Sequence, residues 1–254
     1  MKVRQGRGRQ PRTPRLYVDA ELGPQARLAL PEDAAHHAAR VLRLGEGDLV
    51  MLFDGRGGEY EAILSMPSRG QVLAAIGPRR DVERESPLAM TLVQGVSSGE
   101  KMDFTIQKAV ELGVVAIQPV LAEKSLVRLS AEREEKKLAH WKRVAIAACE
   151  QCGRNRLPEI RKAIPVDAYC RAPDDASLRL LLSPEGETGL RDMGPKIGHA
   201  VTIAAGPEAG FSDDEEQLLA RAGFVPVRLG RRILRTETAA LAALAALNAL
   251  AGDF

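Results

Sequence analysis

Three segments of the chain concentrate residue types that could do chemistry. They are Ser183-Pro184-Glu185-Gly186, Gly206-Pro207-Glu208-Ala209-Gly210, and Leu229-Gly230-Arg231-Arg232-Ile233-Leu234-Arg235-Thr236-Glu237-Thr238. Each follows a short apolar run, and the last two each precede a helical pattern. Glycines in such a turn let backbone N–H groups approach a ligand closely. Phosphate cradles use this device at helix N-termini, but neither G-x-G-x-x-G nor G-x-x-x-x-G-K-[ST] occurs here. Glu208 and the run Asp213-Asp214-Glu215-Glu216 would repel a di- or triphosphate and already complement the positive helix end. The second segment therefore suits a ligand without phosphates, or else is a plain turn before a well-capped helix. In the third, guanidiniums of Arg231, Arg232 and Arg235 stand at the mouth of an alanine–leucine helix. Their planar forks suit phosphates or nucleobase edges; the alternative is solubilising surface charge.

Positive charge recurs elsewhere. Arg154-Asn155-Arg156 follows a long helical pattern, where it could meet an RNA backbone or only pair with the helix C-terminus. Arg40 and Arg43 extend a basic face on a short helix, beside His36 and His37, which read as surface or packing residues. Lys2, Arg4, Arg7, Arg9, Arg12 and Arg15 all precede the first acid, Asp19. Residues 1–14 thus read as a flexible basic arm, either a solvated tail or one that docks on a polyanion. The net charge of +2 excludes a general polycation. Three cysteines, Cys149, Cys152 and Cys170, fit a reducing compartment. Cys149 and Cys152 are spaced C-x-x-C, but no second pair exists to complete a zinc site, and they lie late in a helix, so packing is the reading and no metal is expected. No apolar run reaches the roughly 18 residues that span a bilayer, and the basic start lacks the apolar core of a secretory signal. A cytoplasmic protein is expected.

The elements that must position these residues fall into two groups. Residues 15–80 read as β-rich: "RLYVD", "ARLAL", a hairpin in "GDLVMLFDGRGGEYEAIL", and "QVLAAIG". The helix "EDAAHHAARVLRL" lies among them and would close at Gly45. A small barrel with one helix results. The charged stretch 79–87 makes a linker, and residues 81–254 alternate strands with helices. The five strands there, "LAMTLVQGV", "VVAIQPVL", "SLRLLLS", "HAVTIAAG" and "FVPVRLG", predict an α/β domain with a mostly parallel sheet. Ser97 or Ser98, Ser130, a Ser212-x-x-Glu215 box, and Thr236 or Thr238 are the expected helix starts. The last helix has no polar face and should be buried all round, by its own domain or by that domain together with a second subunit. Ligands of such sheets bind beyond the carboxyl ends of the strands, where the three segments fall.

Four stretches together, "GEKMDFTIQKAVELG", "RVAIAACEQCGRNRLPEI", "GPEAGFSDDE" and "LGRRILRTETAALAAL", closely resemble bacterial methyltransferases of the SPOUT superfamily that methylate uracil N3 in 16S ribosomal RNA. The resemblance runs from about Arg15 to the C-terminus. It implies a PUA-like RNA-binding barrel, a C-terminal trefoil-knotted domain that binds S-adenosylmethionine, and a homodimer acting on 16S rRNA or the small ribosomal subunit. It assigns the cofactor to Leu182, Ser183, Pro184, Gly206, Pro207, Glu208, Leu229, Gly230, Ile233, Leu234, Arg235 and Thr236. Arg235 would stabilise charge on the base, and Glu237 or Glu208 would accept the N3 proton. Arg15, Arg40, Arg43, Arg154, Arg156, Arg231 and Arg232 would face RNA. The chain departs from the family at Ala209, where glycine is usual, and at Arg231, where proline or serine is usual. If position 209 needs a positive φ, Ala209 is strained. Two other functions fit the same residues: ribose 2′-O methylation, and RNA binding in assembly without catalysis. Nucleoside mass analysis separates the first, and cofactor titration the second.

Overall fold

The computed structural model describes residues 13–68, 70–125, 131–173 and 175–254. Residues 1–12 of the expected arm, and Ser130, lie outside them. The chain divides into two compact units, residues 1–83 and 84–254.

The first unit carries β1 (Arg15–Tyr17), β2 (Arg27–Ala29), α1 (Glu32–His36), β3 (Leu49–Phe53), β4 (Glu59–Ser68) and β5 (Gln71–Arg80). Its sheet order is β1-β3-β4-β5-β2. Alternation along β4 buries Tyr60, Ala62 and Leu64 and turns Glu61 and Ile63 outward. These pack with Leu16, Ala38, Leu52 and Ala74 into one core. The β3–β4 turn needs its glycines, since Gly55, Gly57 and Gly58 all have positive φ. The helix differs from expectation at its end. It passes through a π-helical turn, His37–Val41, and the left-handed residue is Arg43 (φ 57°), not Gly45.

The second unit runs β6 (Ala89–Gly95), α2 (Gly99–Glu111), β7 (Val114–Leu121), α3 (Ala131–Cys152), β8 (Glu159–Ile160), β9 (Ile164–Pro165), α4 (Val166–Arg171), β10 (Leu178–Leu182), β11 (Thr188–Gly189), β12 (Ala200–Ala205), α5 (Asp213–Arg221), β13 (Val225–Arg228) and α6 (Thr236–Ala251). The sheet order is β11-β13-β10-β12-β6-β7-β8, with β9 also on β7, and every recorded pairing is parallel. Central strands of a parallel sheet are covered on both faces, so they read as apolar runs. Accordingly β6 and β12 are buried over Met90–Gly95 and Val201–Ala205. The five longer strands were legible in sequence; β8, β9 and β11 have two residues each and carry no period. Connections run one way from β6 to β7 and the other way from β12 to β13, so a crevice opens at the carboxyl ends between β6 and β12.

Of the three helix starts described, those of α2 and α5 fall at the expected serines, while α6 starts after Arg235 and not after Thr236 or Thr238. The Ser212–Glu215 box forms as expected, with Ser212 N–H donating to Glu215 Oε2 at 2.9 Å. Ser98 and Arg235 hold the N-cap positions of α2 and α6, but neither side chain makes a cap bond. Within the single chain, helix α6 is buried on one side. It buries Ala240, Ala243, Leu244, Leu247 and Asn248, while Leu250 is 45% exposed. Among the described residues no helix is long and apolar enough to cross a membrane.

Candidate active site

The turns after β10, β12 and β13 converge on one cleft of about 570 Å³. Every residue assigned to the cofactor lines it, Leu182–Pro184, Gly206–Glu208, Leu229–Gly230 and Ile233–Thr236, with Arg232 and Glu237, whereas Gly186, Arg231 and Thr238 of the same turns lie outside its lining. Close backbone passes build the cleft floor. A Cβ on Gly206 would meet Phe211 N at 2.9 Å, and one on Gly186 would meet the Val227 carbonyl carbon at 2.9 Å. The turn Pro207–Gly210 closes with Gly210 N–H donating to Pro207 O at 2.9 Å, and the positive φ (74°) falls on Gly210. Ala209 does not have a positive φ, so the expected strain is absent.

Gly95, the last residue of β6, is the tightest pass: a Cβ there would lie 2.4 Å from Pro207 N. Gly95→Ala is expected to cost about 1–3 kcal/mol, the overpacking penalty, because backbone rather than a flexible side chain must give way. Gly99→Ala, with nothing within 4 Å of its Cβ, is the control that should melt like the parent in denaturant titration.

Charges of both signs line the cleft: Lys101, Lys124, Arg232 and Arg235 against Glu185, Glu208, Asp213, Glu216 and Glu237. Glu208 reaches across to α2. Its Oε1 accepts from Ser98 N–H at 3.1 Å and Lys101 Nζ at 3.2 Å. Burial opposes its charge, but the Ser98 N–H, its own N–H and Lys101 outweigh that and hold its carboxyl below the usual range. Glu208 is therefore an anchor and a poor proton acceptor. Since its folded pKa is depressed, its stabilisation is present above the unfolded value near 4.5 and disappears as pH falls through the folded one. Melting curves between about pH 6 and 3 should show a smaller acid-induced loss for Glu208→Gln than for the parent. Glu216 moves the opposite way: burial, then Glu185 and Asp213, push its carboxyl up, partly offset by Lys124. Glu237 keeps one buried carboxylate oxygen, Oε2, with no hydrogen-bond partner.

Sequence reasoning missed Lys101, Lys124 and Gln94. Lys101 lies within the stretch "GEKMDFTIQKAVELG" but was given no role, and Lys124 lies in no motif; Lys124 Nζ donates to Phe211 O at 3.1 Å at the cleft wall. Gln94 is fully buried beneath the cleft, a polar residue inside an otherwise apolar strand, and that interruption was a usable signal. Its Nε2 donates to Thr236 Oγ1 at 3.0 Å, and Thr236 Oγ1 donates to Gly206 O. Thr236 therefore serves the cleft rather than capping α6.

The basic residues separate. Arg231 and Arg156 are exposed on the second unit, and Arg40 and Arg43 on the first. Arg154 corrects its reading as an RNA contact: it is 4% exposed, because Gly153 (φ 95°) turns the chain inward and the guanidinium pairs with Glu85. Asn155, expected to be exposed with it, is also buried. Arg15 has a role within the first unit. Its guanidinium pairs with buried Glu59 at 2.6 Å and lies 4.9 Å over the Phe53 ring, which holds it in the fold of the first unit. Cys149 and Cys152 lie in the last turns of α3 and form no disulfide, and Cys149 Sγ donates to Arg156 O at 3.7 Å. Among the described residues no group of three or more His, Cys, Asp or Glu could hold a metal ion.

Comparison with known proteins agrees with this geometry. An RNA methyltransferase domain family matches residues 84–248, and an RNA methyltransferase PUA domain family matches residues 30–77. A putative methyltransferase of Legionella pneumophila, solved with bound SAM, is 40% identical; the match covers 96% of this chain and all of that one, with a TM-score of 0.92. The ribosomal RNA small subunit methyltransferase E of Neisseria gonorrhoeae, bound to S-adenosyl methionine, is 40% identical over 95% of this chain and 99% of its own, with a TM-score of 0.88. The Buchnera aphidicola protein of the same name is 33% identical over 241 residues, 95% of each chain. With both units matched by RNA methyltransferase family models and relatives of this name at 33% and 40% identity along nearly the whole chain, this chain belongs to the ribosomal RNA small subunit methyltransferase E family of RNA methyltransferases.

Proposed function

We propose that this protein methylates N3 of a uracil in 16S ribosomal RNA with S-adenosylmethionine as cofactor. The observation that carries the reading is the convergence of three strand-end turns on one cleft, in a chain whose 40%-identical neighbours hold that cofactor. The cleft fits it. About 570 Å³ lies within the usual range for small-molecule sites, and the glycine turns present backbone groups. Five carboxylates against four basic side chains disfavour phosphates and tolerate a cation. When bound, S-adenosylmethionine supplies an electrophilic methyl group on a sulfonium.

The chain's own residues divide the remaining work. The backbone of Leu182, Ser183, Pro184, Gly206, Pro207, Leu229, Gly230, Ile233, Leu234 and Thr236 would hold the cofactor, with Glu208 anchoring its loop to α2. Arg235, exposed at the N-cap of α6, would stabilise the charge that develops on the uracil oxygens as N3 loses its proton. Glu237 stands two residues on with its unpartnered oxygen and would take that proton. Ile233, 84% exposed at the cleft, is an apolar surface for the displaced base to cover. Arg231, Arg232, Arg156, Arg40 and Arg43 would contact RNA. We include in the proposal the trefoil knot that the family resemblance implies. A homodimer would cover the half-exposed side of α6, and the substrate would locate the protein in the cytoplasm.

In vitro transfer from labelled cofactor to 16S rRNA and to small subunits, followed by nucleoside mass analysis, tests the reading. The expected product is 3-methyluridine. A ribose-methylated nucleoside, or cofactor binding without transfer, would replace it with one of the two alternatives above. Light scattering that gives a monomer would remove the dimer.

A further inference from the structure

We infer that Gln94 is a positioning residue for methyl transfer: its buried carboxamide ties the Gly206 turn to the first turn of α6, and so sets the geometry of the cofactor seat and of Arg235 and Glu237. The inference rests on the methyltransferase reading.

Gln94 lies next to the end of β6, where the sheet opens its crevice, and is 0% exposed. A strand buried on both faces is most stable with an aliphatic residue there. Instead the carboxamide Nε2 faces four oxygens: Thr236 Oγ1 at 3.0 Å, Gly95 O at 3.1 Å, Gly206 O at 3.4 Å and Ala205 O at 3.5 Å. Three are carbonyls, which only accept, so the NH₂ group must face them. The Thr236 hydroxyl gives its own proton to Gly206 O and accepts from Gln94 with a lone pair. The relay therefore runs in one direction, from Gln94 through Thr236 to Gly206. The opposite atom, Gln94 Oε1, is buried with no partner. An orphaned acceptor lowers stability, so folding alone would favour methionine or leucine at this position.

What the carboxamide supplies is register. Gly206 and Thr236 both line the cleft but come from different segments, the end of β12 and the start of α6. Arg235 makes no side-chain cap, so the relay is the side-chain tether of that helix start. Arg235 and Glu237 flank the tethered residue directly.

The test uses Gln94→Met, which keeps length but removes the donors, Thr236→Val, and the double variant, each in the full chain. The readouts are melting temperature, S-adenosylmethionine dissociation constant by calorimetry, and single-turnover methylation. Gln94→Met removes the orphaned Oε1 but also strips a donor from the facing carbonyls, so it should melt within a few degrees of the parent yet bind cofactor about tenfold more weakly and turn over at least as much more slowly. The double variant should be no worse than either single one, because both cut one relay. Parent-like binding and turnover in Gln94→Met, multiplicative losses in the double variant, or a collapse in melting temperature would each overturn the role. A parent protein that binds no S-adenosylmethionine would instead overturn the cofactor reading itself.

Discussion

Arg235→Ala is expected to lower single-turnover methylation about 10²–10³-fold, the usual cost of removing one donor aimed at developing negative charge. Neutral uracil holds a proton on N3 and is a poor nucleophile. Losing that proton spreads charge onto the flanking oxygens, and a guanidinium beside the base can donate to one of them while leaving N3 open to the methyl. The side chain is exposed and makes no cap bond, so its loss should change stability by only about 0.5 kcal/mol. Cofactor affinity should fall far less than turnover if, as proposed, the turns bind through backbone. Arg235→Lys should be intermediate, since it keeps charge but not the planar fork. Glu237→Gln provides the complementary measurement. If Glu237 accepts the proton, its loss costs about 10²–10⁴-fold near neutral pH. The deficit should then shrink as rising pH ionises N3 without help. Near-parental turnover in Arg235→Ala would remove its role as anion stabiliser.

The cleft was legible because its location follows from topology. Once five apolar runs alternate with helices, the segments after them fall at one sheet edge, and three of those segments held glycines and charge. The side chains that hold the turns together were less legible. Glu208 looked like one acid among several, and only the fold brings it to the N–H of Ser98. Thr236 looked like a cap because caps are recognised by position, whereas its hydroxyl is taken by Gly206 O, 30 residues away in sequence. Arg43 shows the same limit in the first unit. Glycine at position 45 was the better residue for a left-handed end, and tertiary structure placed that conformation on arginine instead. In α6, uniform alanine and leucine concealed which side faces the sheet, because a helix without a polar face has no phase to read. Charge was the weakest guide. An arginine after a helix reads the same whether it faces solvent or a carboxylate that lies far back in the chain.

Arg154 is the case in point, and its replacement should have the largest effect on stability. Its Nε meets Glu85 Oε1 at 3.0 Å and its Nη2 meets Glu85 Oε2, a bidentate pair. Its Nη1 donates to Val110 O and Val114 O, each at 2.9 Å, and so links the end of α2 to the start of β7. Burial weighs against the charge, but Glu85 more than offsets it and holds the guanidinium protonated. Arg154→Ala leaves Glu85 facing a buried gap and deprives two carbonyls of a donor. Breaking such a pair from one side costs about 3–5 kcal/mol, a large fraction of the roughly 5–15 kcal/mol that stabilises a domain. Urea titration should show that loss. Arg154→Met with Glu85→Leu should regain much of it, because the penalty lies in the stranded charge and not in the missing attraction. RNA binding separates this role from a surface one. Arg156→Ala should reduce the slope of log K against log salt by about 0.7 to 0.9 if it meets a phosphate, while the double variant at 85 and 154 should leave the slope unchanged. A parent-like stability for Arg154→Ala with a lowered salt slope would return this arginine to the RNA face.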